Sequence, residues 1–373
     1  MDAATRKSLS RIISQGLVKE TAALDAHGAV HTMLAIQAQQ PSAVPWAINL
    51  RLRCPAIAEI NAAFESCQLV RSWPMRGTIH VTSARDHHWL RQALLHRYDS
   101  WMRSFAEEGL TTARIERAAQ IAYAYMDAHG PVSREELCGA WEEAGIRTGT
   151  RPQREAAERA GEKGTFLDRR NLFLALHICG FLAAGPKRGN SFLFIDARQL
   201  PGAQGVGRGE DNHETALTLL ARRYAWGHGP VDVEDLARWA SLTKREAAAA
   251  LARAQDNRPD EEFPIELGEF GYQRADLDQL FRLHHDEARS VISCPSFDEI
   301  HVGYSNRACL ADTQAEYAIC PTKNGMFRPF VISNGRVIAV RDPRAGYQFV
   351  DSYKGPRTAA LLDEAEQNAH ALG

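Results

Sequence analysis

The feature that most constrains this chain is an internal repeat. His129-Gly130-Pro131-Val132 returns as His228-Gly229-Pro230-Val231, 99 residues later. Each copy comes after a stretch rich in Ala and aromatics with helical periodicity, 114–128 in the first case and 214–226 in the second. Each copy also leads into a helix start. Ser133-Arg134-Glu135-Glu136 has the spacing of a capping box, and Asp232-Val233-Glu234-Asp235 sets acidic side chains in a first turn, where they offset unpaired N–H groups and the helix dipole. The apolar face resumes at Leu137 and Trp141, and at Leu236 and Trp239. A period near 100 residues indicates duplicated small domains. A fainter third copy, His27-Gly28-Ala29-Val30, lies another 102 residues upstream.

The stretches downstream of the copies are alike as well. Residues 57–66 read as a helix, and 69–82 hold two β-prone runs around Pro74 and Gly77. Residues 171–179 are apolar and helical; Phe181-Leu182 and Phe192-Leu193-Phe194 then flank Gly185-Pro186-Lys187-Arg188-Gly189-Asn190, a hairpin with a basic tip. Residues 243–254 form an Ala-rich helix, with a wing expected between Phe263 and Ala275. Helices leading to a β-hairpin make a winged helix-turn-helix unit, which sets one helix in a major groove and a hairpin along the phosphates. After about residue 286 short strand-like runs take over, at 291–293, 301–304, 330–332, 337–340 and 347–350. Asn324-Gly325 and Asn334-Gly335 lie between them as hairpin signals. The expected fold is therefore α+β and mainly α. Three tandem winged-helix domains (1–105, 106–205 and 206–285) precede a C-terminal β-rich, barrel-like domain (286–373) closed by a helix at 357–372.

Composition narrows function mostly by exclusion. The formal net charge of −2 does not mark a nucleic-acid binder. Any such surface must be local, and 151–188 is a candidate with eight Lys or Arg against four Asp or Glu. Seven cysteines are scattered without a C-x-x-C pair, which argues against a disulfide framework and a zinc site. No apolar run suits export or anchoring, so the cytoplasm is the default expectation and no membrane partner is expected. There is no P-loop, G-x-S-x-G, H-E-x-x-H or G-x-G-x-x-G helix opening. His87-His88 and His284-His285 are neighbours whose side chains diverge; Asp298, Glu299 and His301 read as a polar strand edge before a metal site. Neither metal nor cofactor is expected.

Ile36-Gln37-Ala38-Gln39-Gln40-Pro41 is the segment with chemical promise. Pro41 disfavours helical backbone at Gln40, so the preceding helix should end there. In a helix Gln37 and Gln39 point about 200° apart; on an extended exit they share one face. A polar turn and a pair of convergent amides both remain open at this point.

A resemblance bears on that choice. Met33-Leu34-Ala35-Ile36-Gln37-Ala38-Gln39, Met75-Arg76-Gly77-Thr78-Ile79-His80-Val81, Ser296-Phe297-Asp298-Glu299-Ile300-His301-Val302-Gly303-Tyr304 and Gly325-Met326-Phe327-Arg328-Pro329 together resemble the AlkZ and YcaQ family of winged-helix DNA glycosylases. The family's signature is Gln, an apolar residue, then Gln or Asp; Gln37, Ala38 and Gln39 match the AlkZ branch. Gln40 stands where many relatives would carry an acid. The resemblance implies that Gln37 and Gln39 are catalytic. It also implies excision of N7-alkylguanines from double-stranded DNA, including bulky adducts and the interstrand crosslinks left by alkylating natural products, in repair or self-resistance.

The chemistry suits two amides. An N7-alkylated guanine is cationic, so it departs without a general acid. The site has only to position water and stabilise an oxocarbenium-like sugar. A Gln carbonyl accepts a hydrogen bond from water but is no strong base. Such a site favours cationic lesions, and an open concave cleft is expected because a crosslinked guanine resists full flipping. No lysine sits in the motif to form a Schiff base, so a monofunctional glycosylase is expected; the sequence leaves oligomeric state open, with a monomer as the expectation. Arg76 and His80 in the first wing, Lys187 and Arg188 at the second hairpin, and Lys323, Asn324, Phe327 and Arg328 around an Asn-Gly turn are the DNA-contact candidates. The alternatives are a winged-helix regulator and a protein that sequesters the alkylator. The Ala-rich helix 243–254 offers a regulator few groups with which to read bases.

Overall fold

The computed structural model of the protein describes residues 1–75, 77–94, 98–162, 166–203, 210–258, 260–322 and 325–372. The chain divides into two compact units: Met1–Ala63 with Leu217–Gly373, and Phe64–Ala216.

In the unit Phe64–Ala216, the capping box expected at Ser133 and Glu136 forms and starts the helix Arg134–Glu143. The preceding helix, Thr112–His129, stops at Gly130, whose φ of +74° suits a residue without Cβ. Trp141 is fully buried between these helices and donates its indole N–H to Ala118 O at 2.9 Å. The helix Arg169–Ile178 brings Phe173 against both Trp141 and Phe194. The two expected hairpins form, as Leu69–Met75 with Thr78–Ser83 and as Leu182–Arg188 with Ser191–Asp196. They do not form separate sheets, however. They join through Arg71 and Ala184 into one antiparallel sheet, because the inner edge of each carries buried, backbone-exposing residues that the other pairs.

The second copy of the repeat folds with the same logic, and from Leu217 onward it belongs to the other unit. The long helix Glu210–His228 leads to Val233–Ala240, opened by a capping box of Asp232 and Asp235. Lys244–Ala254 and the hairpin of Ile265–Gly268 with Gly271–Arg274 complete it. In both copies the repeat valine forms a β-bridge to the second strand of the next hairpin, Val132 to Phe194 and Val231 to Tyr272. The recurring motif thus marks where helices tie to hairpin.

The C-terminal segment departs from a barrel. Ile292–Cys294, Phe330–Ser333, Arg336–Asp342 and Gly346–Phe349 form an open, four-stranded antiparallel sheet in that order. The helix Ala359–Leu372 covers one face through Ala365, against Val331, Ile338, Ala339 and Tyr347. The Asn334-Gly335 turn has positive φ at both residues (51° and 73°), the geometry that an Asn-Gly hairpin favours. The expected strand at 301–304 is instead part of a short helix, Glu299–Val302, which Asp298 caps by accepting from Ile300 N–H. Of the Asn324-Gly325 signal, Asn324 lies outside the described residues. The element before it is a helix, Thr313–Ile319, rather than a hairpin strand. Among the described residues no helix is long and apolar enough to cross a membrane.

Candidate active site

The path of the Gln segment is decided by the helix before it. Asp25 caps Ala26–Met33 by accepting from Gly28 N–H at 2.6 Å. That helix ends at Met33, well ahead of Gln40, where Pro41 had placed its end. The cause is local. Leu34 takes φ 62° and ψ −48°, and Ala35 N–H closes onto Met33 O at 2.7 Å. This is a γ-turn of the rarer, positive-φ kind, strained for a bulky residue. The fully buried Leu34 side chain holds it there. The chain leaves the turn extended over Ile36–Gln37. On such backbone alternate residues share a face. Ile36 and Ala38 are buried, Gln37 is half-buried and Gln39 is exposed. The extended backbone covers Ile36–Gln37, and the chain bends at Gln39.

Beneath this segment lies a buried polar network from Met1–Ala63 and Leu217–Gly373, built around the acidic side chains Glu299, Asp298 and Asp235. Gln37 N–H donates to Glu299 Oε1 at 3.0 Å. Trp239 donates its indole N–H to Glu299 Oε2 at 3.1 Å, and His228 Nε2 lies 3.5 Å from the same oxygen. Arg51 forks onto Asp298 at 2.8 and 2.9 Å and also donates to Gln15 Oε1 and Ala47 O. Gln15 passes the chain on to Tyr304, whose hydroxyl donates to His228 O at 2.7 Å. Arg11 bonds Asp235 at 2.8 Å and stacks on Tyr304 at 3.6 Å.

Burial opposes charge on Arg51, but Asp298, through charge and hydrogen bonding, acts together with Cys294 and Glu299 to hold the guanidinium above its ordinary pKa. Burial also lowers the pKa of His228, against the pull of Glu299, which keeps its imidazole neutral near pH 7. Gly303 permits this packing. A Cβ there would stand 2.5 Å from Glu299 O and 3.2 Å from Glu299 Oε2. Sequence reasoning singled out Asp298 and Glu299 but placed them on a strand edge. Arg11, Gln15, Arg51 and Tyr304 went unseen. Arg51 and Asp298 are 247 residues apart, so no local spacing announces them; only the polar run in an apolar segment at 298–301 hinted at a buried cluster.

The DNA-contact candidates fare unevenly. Arg76, Lys323 and Asn324 lie outside the described residues. His80 is fully buried, with Nδ1 3.1 Å from Thr78 O, because it falls on an inward position of its strand rather than at the turn. Lys187 is half-buried in the strand, not at a free tip. Its ammonium lies over Phe64 and Phe192 at 5.5 and 5.0 Å, and burial lowers its pKa. Arg188 is exposed and bonds Glu136 at 2.9 Å. Phe327 packs against Phe297 and His301 at 5.4 and 5.2 Å, the core-like alternative. Arg328 is half-buried and lies 3.4 Å from Asp342. His87 and His88 are buried against Ser72 Oγ and Ala197 O. Among the described residues no group of three or more His, Cys, Asp or Glu is arranged to hold a metal ion.

A family model described as DNA glycosylase AlkZ-like matches residues 30–372. The solved structure of Streptomyces sahachiroi DNA glycosylase AlkZ superposes with a TM-score of 0.70 at 16% identity, covering 100% of this chain and 97% of that one. No curated protein matches the chain in sequence.

Proposed function

The chain belongs to the AlkZ-like DNA glycosylase family, and from that premise we propose that it hydrolyses the N-glycosidic bond of cationic N7-alkylguanines in double-stranded DNA. Gln37 and Gln39 are the catalytic residues of this reading. Bulky adducts and interstrand crosslinks from alkylating natural products are its intended substrates, in repair or self-resistance. The observation that carries it is the γ-turn exit at Leu34, after which the chain runs extended over Ile36–Gln37, with Ile36 and Ala38 buried, Gln37 half-buried and Gln39 exposed.

The reaction needs little acid or base. The C1′–N9 bond breaks with its electron pair passing to the departing base, whose positive charge is thereby cancelled. The sugar becomes oxocarbenium-like, water adds at C1′, and its excess proton leaves to solvent. A carboxamide oxygen orients that water and places partial negative charge near the sugar. Neutral lesions, which need their leaving group protonated, are poor substrates at such a site. The product is free base and an abasic site, with no strand cleavage, and the working form is a monomer in the cytoplasm.

Within this reading the finer partition is three winged-helix domains (1–105, 106–205 and 206–285) and a C-terminal β-rich domain. Arg188, Lys187 and Arg328 are the described residues we assign to DNA. Arg76, Lys323 and Asn324 join them on their sequence context alone.

The test is release of free N7-methylguanine from alkylated duplex DNA by purified protein. Gln37→Ala and Gln39→Ala are each expected to abolish release while duplex binding persists. Wild-type release by both variants ends this assignment.

A further inference from the structure

We propose that Glu299 is a positioning residue for the reaction: its buried carboxylate fixes the main chain of Gln37 and brings to the catalytic run a negative charge that the two neutral amides lack. The inference rests on the reading that Gln37 and Gln39 carry the chemistry.

The geometry is specific. Glu299 is fully buried, and each of its oxygens faces an obligate donor: Gln37 N–H at Oε1 and the Trp239 indole at Oε2. That acceptor-only arrangement suits the ionised form. The network's guanidinium groups fork onto other carboxylates, Arg51 onto Asp298 and Arg11 onto Asp235, and Arg51 also lies within electrostatic reach of Glu299. His228, 3.5 Å from Oε2, is itself wholly buried.

This placement acts in two ways. A hydrogen bond to an ionised acceptor is roughly twice as strong as a neutral one, so the backbone of residue 37 is held more firmly than a neutral partner would hold it. A charge in a poorly screened interior also acts over longer distances than one in water. It therefore lowers the energy of positive charge that develops one side chain away. A site made only of carboxamides has partial charges to offer an oxocarbenium-like sugar; this one adds a whole charge behind the first of them. Gly303 belongs to the same device, since an added methyl would press on Oε2 and on the Glu299 carbonyl.

The experiment is single-turnover release of N7-methylguanine from methylated duplex, with duplex affinity measured separately. Wild type is compared with Glu299→Gln, Gln37→Ala and Gln39→Ala. Glu299→Gln keeps the shape and one acceptor but removes the charge. It is expected to slow excision about 10- to 100-fold with the dissociation constant for DNA within about twofold of wild type. Where that variant does not accumulate as folded protein, Gly303→Ala asks the same question, because it displaces the carboxylate without removing it. A wild-type rate in the folded variant overturns the proposal. So does a rate loss matched by an equal loss of affinity, which would mark a merely structural residue. If both glutamine variants excise normally, it is the underlying function that fails; if they are inactive and Glu299→Gln is not, only this inference does.

Discussion

Replacing Arg51 by Met should be among the most damaging single changes in this chain. The two side chains of the Arg51–Asp298 pair are 2% and 0% exposed, so water cannot compensate for a missing partner. Arg51→Met keeps an unbranched stem in the cavity and deletes four hydrogen bonds, two to Asp298 and one each to Gln15 and Ala47. Asp298 would retain the Ile300 N–H as donor, far too little for a buried carboxylate. Removing one partner of a buried pair costs about 3–5 kcal/mol. The companion change separates pairing from packing. With Asp298→Leu added, both charges are gone and the cost should fall to about 1 kcal/mol or less, since apolar replacement of a buried pair is often neutral. Urea unfolding monitored by circular dichroism, carried through wild type, both single variants and the double, yields a coupling energy expected to exceed about 2 kcal/mol. Additive single costs, or a loss below about 1 kcal/mol for Arg51→Met, would show that the network is not what anchors the site.

Two further expectations concern the unit Phe64–Ala216. His177 is wedged between Trp73 and Phe194, and burial, aided by Arg71 and Arg134, depresses its pKa to about 3. The unfolded chain takes up a proton near pH 6.5 while the folded one does not, so stability must fall as pH drops from about 6.5 toward 3. The slope contributed is up to about 1.4 kcal/mol per pH unit. His177→Phe should flatten the dependence of the urea midpoint between about pH 7.5 and 5 by that amount, and an unchanged slope would contradict the burial argument. Arg188 is surface-exposed, and its bond to Glu136 should be worth less than about 1 kcal/mol. Arg188→Ala should therefore leave stability nearly intact, weaken duplex binding across sequences and reduce the salt dependence by about 0.9 in log–log slope. A slope equal to wild type would place Arg188 away from phosphate.

Local signals in the sequence were legible and long-range ones were not. The capping boxes at Ser133 and Asp232, the hairpins around Gly77 and Gly189, and the Asn334-Gly335 turn all arise from side chains that act on their own backbone. The helix exit was misplaced because Pro41 is a strong nearby stop, whereas the γ-turn at Leu34 depends on the core that buries it. The merging of two hairpins into one sheet was likewise invisible, since pairing of Arg71 with Ala184 has no trace in the spacing of either hairpin. At the candidate site, the glutamines stand out by motif alone. The carboxylate that anchors one of them was seen, but its burial could not be read from residues that come together only in three dimensions.

The γ-turn and the carboxylate grip residue 37 from behind, while residue 39 stands two positions on, toward solvent. The mounting and the tool are thus separate parts. On the function proposed above, exchanging the side chain at 39 between an amide and an acid would change what the site does to a lesion and leave its footing alone. Reactivity in such a scaffold can drift by single steps without first destabilising the protein that carries it.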